Sequence, residues 1–169
     1  MKSVTITRFA VFLLVISINI GCDQVSKHIV REKISSNTQI GYLNNHLLIT
    51  KVENTGAFLS LGDSLSKPVK NILLTILPFF ALTFGFFYLL LKRNILPITN
   101  VGFSFILGGA IGNIFDRLIY GSVTDFLYID LNLFHTGIFN MADVSIVTGA
   151  LLILIGSLNH KFPVNKPMK

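Results

Sequence analysis

Three stretches of this chain carry almost no charge over the length of a bilayer crossing: 72–91, 98–115 and 138–158, the last broken only by Asp143. The hydrocarbon core is about 30 Å thick and takes about 20 mostly apolar residues per helix. Backbone groups there must be satisfied within their own segment, so such stretches form helices. A fourth run, 9–22, is shorter and becomes a span only if its helix continues through Asp23 and Gln24 towards Lys27. The expectation is an all-α membrane protein in one domain, 1–169. Its spans are placed near 9–27, 70–91, 98–116 and 138–158, with outer loops near 28–69 and 117–137.

Composition supports this and excludes other classes. Only 13% of residues are charged and the mean hydropathy is +0.68, whereas a soluble domain carries about a quarter charged residues. The +6 net charge is not clustered with aromatics on a polar face, so nucleic acid is not the expected partner. A single Cys provides neither an internal disulfide nor a metal cluster. No His–Cys metal spacing and no Ser–His–Asp order is present, and no cofactor is expected.

Four spans put both termini on one side, with Lys2, Arg8, Lys92, Arg93, Lys161, Lys166 and Lys169. The opposite side has as many basic residues but also all eight acids. Short loops near span ends set orientation. The tight turn "LKRN" is purely basic, whereas the 117–137 loop sets Arg117 against Asp125 and Asp130. Both termini are therefore expected in the cytoplasm and both long loops outside. The start of the chain also admits a lipoprotein-type signal ending at Cys22, although Asn19 fits that pattern poorly.

The polar residues at the outer face raise the chemical question. Gly108 and Gly112 form a small-xxx-small pair that admits a second helix closely. Asn113 and Arg117, four apart, share a helix face; Asp116 lies one step off it. Asn140 and Asp143, three apart, also share a face, and there an Asp serves equally well as an N-terminal cap. Asp125 sits among Val123, Phe126 and Leu127 in a loop too apolar for simple exposure. Two carboxylates close together in apolar surroundings share one proton. The ionised one can then activate water while the other donates to a carbonyl. Spacing permits that dyad and permits plain capping alike. His135 reads as an interfacial side chain. Around Asn44–Asn45 two β-leaning stretches suit a hairpin, which would put a small sheet at the membrane surface.

Five motifs in order carry a resemblance: "DQVSK" from Asp23, "ENTGAF" from Glu53, "GNIFDR" from Gly112, "VTDF" from Val123 and "FNMAD" from Phe139. Together the chain resembles the lipoprotein signal peptidase family, signal peptidase II. The resemblance implies four transmembrane helices with a small extracytoplasmic β-sheet cradle and a short outer helix. It implies an aspartic endopeptidase in the bacterial cytoplasmic (inner) membrane, acting at the extracytoplasmic face. The substrate would be a diacylglyceryl-prolipoprotein, cut just before its lipidated Cys. The catalytic pair falls on Asp125 and Asp143. Supporting or substrate-binding positions fall on Asp23, Asn54, Asn113, Arg117 and Asn140, and structural ones on Lys27, Gly56, Gly112 and Asp116. Membrane lipid and inhibitors of the globomycin and myxovirescin type are the implied partners, and a monomer suffices. Phe58 departs from the family pattern, where a second small residue follows Ala57. The competing classes are a four-span transporter, which would spread acids through the membrane depth, and an anchored protein displaying the first loop.

Overall fold

The computed structural model describes residues 2–36, 38–57, 61–92 and 95–161, with side chains described between 7 and 158. Phe58, Arg93, Lys166 and Lys169, and the side chains of Lys2 and Lys161, lie outside the described residues. Four helices are long and apolar enough to cross a bilayer: Thr7–Lys33, Lys67–Leu91, Pro97–Tyr120 and Met141–Leu158.

Helix α1, Lys2–Lys33, buries one stripe: Phe12, Ile16, Asn19, Asp23, Lys27 and Val30. The steps of four and three place these on one face. The apolar residues Leu14, Ile18, Val25 and Ile29 are exposed instead. In a bilayer that inversion is expected, because lipid solvates Leu and Ile while polar groups need partners inside the bundle. The helix runs to Lys33, past the Lys27 end expected from sequence, because the stripe continues to Val30 and the 31st residue, Arg31, is anchored below.

Helix α4, Pro97–Tyr120, is the central one. Pro97 opens it, and Gly121 closes it in the left-handed region at φ 76°, where glycine costs least. Gly108 and Gly112 face α1, where a Cβ at 108 would lie 2.7 Å from the Asn19 Cβ and one at 112 would collide with the Asp23 carboxylate. Gly109 faces helix α5, Met141–Lys161, against the Ala142 carbonyl. The small residues thus let α1 and α5 approach α4 from two sides.

The second span is made of α2 (Lys67–Asn71), one π-helical turn (Ile72–Ile76) and α3 (Leu77–Leu91). Pro78 has no amide hydrogen and its ring crowds the preceding turn, and the wide turn lies just before it. There the Leu77 N–H reaches back to the Ile72 carbonyl. The short outer helix implied by the resemblance has its counterpart, among the described residues, only in α2, which is continuous with this span. Leu89 is the one buried residue of α3; it joins Phe12, Ile16 and Leu107 in a core cluster. At the same end Arg8 Nη2 donates to the Leu89 carbonyl and Nη1 to that of Lys92, both at 2.9 Å.

The outer side carries a three-stranded antiparallel sheet in the order β1-β2-β3. Strands β1 (Gln39–Tyr42) and β2 (Leu47–Asn54) form the expected hairpin, and Leu43, Asn44 and Asn45 take up positive φ at its turn. Strand β3, Val123–Ile129, was read from sequence as loop. Val123, Thr124, Asp125 and Phe126 are all buried, so no apolar–polar alternation reveals it. The ladder pairs Val52 with Asp125 and Ile49 with Leu127, an irregular step that bends a strand locally. Two helix bounds also move: α4 runs on to Tyr120, and α5 starts at Met141 rather than 138 because Phe139 pairs with Leu127.

Candidate active site

Asp125 is 4% exposed in the middle of β3. Its cross-strand neighbour is Val52, and residues two apart on a strand share a face, so Asn54 reaches the same carboxylate. Asn54 Nδ2 donates to Asp125 Oδ2 at 2.8 Å and also to the Ala57 carbonyl, while its Oδ1 accepts the Gly56 N–H. The side chain thereby shapes the turn after β2 and points an N–H at the aspartate. Arg117 Nη2 donates to the Gly56 carbonyl at 3.0 Å. Its Nε is buried with no partner among the described residues.

Asn140 joins the two aspartates. Its Nδ2 donates to Asp125 Oδ1 at 2.6 Å. Its Oδ1 accepts the Asp143 N–H, and its own N–H donates to Asp143 Oδ2, both at 3.1 Å. That reciprocal pair is a capping box at the start of α5, so the capping role allowed from sequence is realised. It coexists with a second arrangement, in which Asn113 Nδ2 donates to Asp143 Oδ1 at 3.0 Å. Each aspartate oxygen thus receives a neutral N–H donor, and among the described residues no salt bridge reaches either, the Arg117 charge acting on both from farther off. Burial pushes the Asp125 carboxyl up to about 6, against the lowering by the Asn54 and Asn140 donors, with the Asp143 charge adding a smaller rise.

Beneath the pair is a buried ion cluster. Lys27 Nζ lies 2.8 Å from Asp23 Oδ2 and 3.1 Å from Asp116 Oδ2, with all three side chains fully buried. Arg31 Nη2 reaches Asp116 Oδ2 at 2.8 Å, and Arg31 also lies over the Tyr120 ring. Asp23 Oδ1 accepts the Ala142 N–H, which fixes the first turn of α5 against α1. Asp116 therefore pairs with α1 rather than with Arg117, its neighbour in sequence.

All five polar positions expected around the pair fall in or beside this network. Gly56 accepts from Arg117 through its carbonyl and donates its N–H to Asn54 Oδ1, and the Asp23 carboxylate lies against Gly112. Sequence reading missed Arg31, Gln24, Glu53 and Thr124. Gln24 Nε2 lies within bonding distance of Asp23 and Asp116, and Glu53 accepts from Ser122 and Thr124. Arg31 was findable, since Asp23, Lys27 and Arg31 follow at steps of four. Glu53 and Thr124 carry no such signal, because they meet only through the β2–β3 pairing. His135 bridges to Asp130 and lies against the Tyr128 ring, away from the pair. Among the described residues no three His, Cys, Asp or Glu side chains are grouped to hold a metal. A cavity of about 390 Å³ opens beyond Arg117, between the turn at Thr55 and the wide turn of the second span at Leu74 and Thr75.

The chain is similar to known proteins. The profile of signal peptidase (SPase) II matches residues 15–159. The lipoprotein signal peptidase of Clostridium novyi is 32% identical over 145 residues, covering 85% of this chain and 94% of the relative. That of Enterococcus faecalis is 35% identical over 146 residues, 86% of each. Among solved structures, a bacterial membrane enzyme determined by the in meso method at 2.3 Å resolution superposes with a TM-score of 0.79 at 28% identity over 94% of each chain. With the profile spanning nearly the whole bundle and the fold shared along the same length, this chain belongs to the signal peptidase II family.

Proposed function

We propose that this protein is an aspartic endopeptidase of the bacterial membrane, which removes signal peptides from diacylglyceryl-modified prolipoproteins by cutting just before the lipidated Cys. Membership of the signal peptidase II family supports a multi-pass membrane peptidase acting on prolipoproteins. The aspartic mechanism rests on one observation: Asp125 and Asp143 converge on the Asn140 side chain and backbone, with no salt bridge to either among the described residues.

In this mechanism Asp143 is the base. It lies in the first turn of α5 and accepts two N–H donors, a setting suited to negative charge. It takes a proton from water as the water oxygen adds to the scissile carbonyl. Asp125, held near 6 by burial, carries the proton that passes to the carbonyl oxygen. As the tetrahedral intermediate collapses, Asp143 gives the proton it took from water to the leaving nitrogen, the C–N bond breaks, and Asp125 recovers its proton from the hydroxyl as the carbonyl re-forms. Asn54 and Asn140 aim the Asp125 carboxyl, and Asn113 aims that of Asp143. Arg117 holds the turn at Gly56 over the pair.

The lipid on the substrate fits this placement. Two acyl chains hold a Cys at the interface at about 0.8 kcal/mol per buried CH₂, at the depth where the spans meet the sheet. Both termini are assigned to the cytoplasm and the sheet to the outer face, on the basic "LKRN" turn and the acids of the opposite side.

The test is cleavage of a purified diacylglyceryl-prolipoprotein in detergent, with both products identified by mass spectrometry. The reading requires an N-terminal diacylglyceryl-Cys product and a peptide ending at the preceding residue. Cleavage elsewhere, or equal cleavage of the unlipidated precursor, overturns it.

A further inference from the structure

We infer that Lys27 is a positioning residue for the reaction: its ammonium sets the direction of the hydrogen-bond chain that presents both aspartates to the substrate. The inference rests on the reading of Asp125 and Asp143 as the reacting pair.

Lys27 is fully buried and its ammonium has three N–H bonds to give. One goes to Asp23 Oδ2 at 2.8 Å and one to Asn113 Oδ1 at 2.9 Å, while Asp116 Oδ2 lies 3.1 Å away as an ion-pair partner. Neutralising the cluster does not explain the bond to Asn113. Asp23 and Asp116 are already balanced by Lys27 and Arg31, and Asn113 is neutral.

The consequence lies in what an ammonium cannot do. It has no acceptor, so the carboxamide of Asn113 must turn its oxygen towards Lys27. Its nitrogen is then left facing Asp143, where Nδ2 donates to Oδ1 at 3.0 Å. The flipped amide would set an NH₂ against the ammonium and an oxygen against the carboxylate, both repulsive. The Asn113 oxygen also accepts from Asn140 Nδ2 at 3.2 Å. The second hydrogen of that Asn140 amide goes to Asp125 Oδ1 at 2.6 Å. Lys27 is thus the donor-only end of a chain that runs through Asn113 to Asp143, and through Asn113 and Asn140 to Asp125. Every amide along it has one permitted orientation. Deleting the ammonium leaves the Asn113 oxygen only the longer contact from Asn140 Nδ2 at 3.2 Å, so the amide is held less firmly, and any turn away withdraws the donor from Asp143. The other charged groups facing this region are Asp23 and Arg31 from α1, Asp116 and Arg117 from α4, and Asp125 from β3; none of them touches the Asn113 oxygen.

A merely structural Lys27 and a positioning one make different kinetic predictions. The assay is cleavage of lipidated prolipoprotein by folded, monodisperse enzyme in detergent, with kcat and KM determined separately. Lys27→Met is expected to lower kcat at least thirtyfold with KM within threefold of wild type. In an Asn113→Ala background, where no amide remains to orient, the same substitution is expected to change kcat less than threefold. Lys27→Met removes one charge from a buried cluster, so Asp23→Asn/Lys27→Met, which restores charge balance, carries the same comparison if the single variant does not fold. Asp23→Asn alone is its reference. A Lys27→Met enzyme with kcat within threefold of wild type overturns the inference. So does an equal loss with and without Asn113. Asp125→Asn and Asp143→Asn are measured alongside. If they remain active, the reading of the pair itself fails; if they are inactive while Lys27→Met is active, only the role of Lys27 fails.

Discussion

Replacing Asp125 by Asn is expected to change how stability depends on pH, by an amount that follows from burial. The carboxyl stands at about 6 in the folded protein against 3.8 when free. At about 1.4 kcal/mol per pH unit, ionising it costs roughly 3 kcal/mol more in the fold than in the unfolded chain. Because the folded value is the higher one, this stability is fully present below 3.8 and is lost as pH rises through about 6. Asn resembles the neutral carboxyl and has no such loss. Apart from Asp143, whose interaction with Asp125 is a smaller part of the rise, the other groups titrate alike in both proteins, so the stability of the variant minus that of wild type should rise by roughly 2–3 kcal/mol between pH 4 and pH 8. The assay is denaturation in detergent followed by far-ultraviolet circular dichroism, since the chain has no Trp. A difference that stays constant from pH 4 to pH 8, or that falls, would refute the claim that burial outweighs the Asn54 and Asn140 donors at this carboxylate.

Other outcomes follow from the same structure. Gly112→Ala should cost about 1–3 kcal/mol by overpacking and lower activity, because its methyl meets the Asp23 carboxylate. Gly21→Ala, with open space around it, should not destabilise, and equal melting points for the two would contradict the close packing of α1 on α4. Arg8→Ala should lower the melting temperature while leaving kcat of the folded enzyme unchanged, since its bonds to the Leu89 and Lys92 carbonyls tie helix ends far from the pair. In a Cys22→Ala background, single cysteines at the exposed Ser64 and Asn132 should react with an impermeant thiol reagent on intact cells, and one at Lys92 should not. The reverse pattern would invert the topology. Thr50, on the same side, is only 6% exposed and would label poorly. The dependence of kcat/KM on pH should fall on the alkaline side with an apparent value near 6, the proton-bearing Asp125, and a flat profile from pH 5 to 9 would remove Asp125 from that role.

What could be read from sequence divides along physical lines. Spans two to four were legible because a bilayer demands about 20 apolar residues, and the hairpin because Asn44 and Asn45 tolerate positive φ. The first span ran longer than its apolar run: Asp23, Lys27 and Arg31 are charges neutralised inside the bundle together with Asp116, and hydropathy sees only the charges. Strand β3 was invisible for the opposite reason, since both its faces are covered and its residues show no alternation. Asp125 and Asp143 were singled out as acids in apolar surroundings, which was enough to nominate them. That Asn140 stands between them required tertiary structure, because Asp125 comes from the sheet and Asp143 from a helix. The resemblance to the family supplied names for Asn54 and Lys27 but not their partners. The Asn54 contact to Asp125 depends on the β2–β3 register, and the Lys27 contact to Asn113 on how closely α1 packs at Gly112.

The central claim is that Asp125 and Asp143 perform the hydrolysis as one unit. Its most direct test is the conversion of lipidated prolipoprotein by purified Asp125→Asn, Asp143→Asn and the double variant, with yield and melting followed in parallel and Asp130→Asn as the control. Asn keeps the shape of each side chain and cannot move the proton that both roles need. Each single variant should therefore be folded and inactive, the double little worse than either, and Asp130→Asn substantially active. A single variant that retains more than about a tenth of the wild-type rate, roughly 1.4 kcal/mol of barrier, would contradict the account.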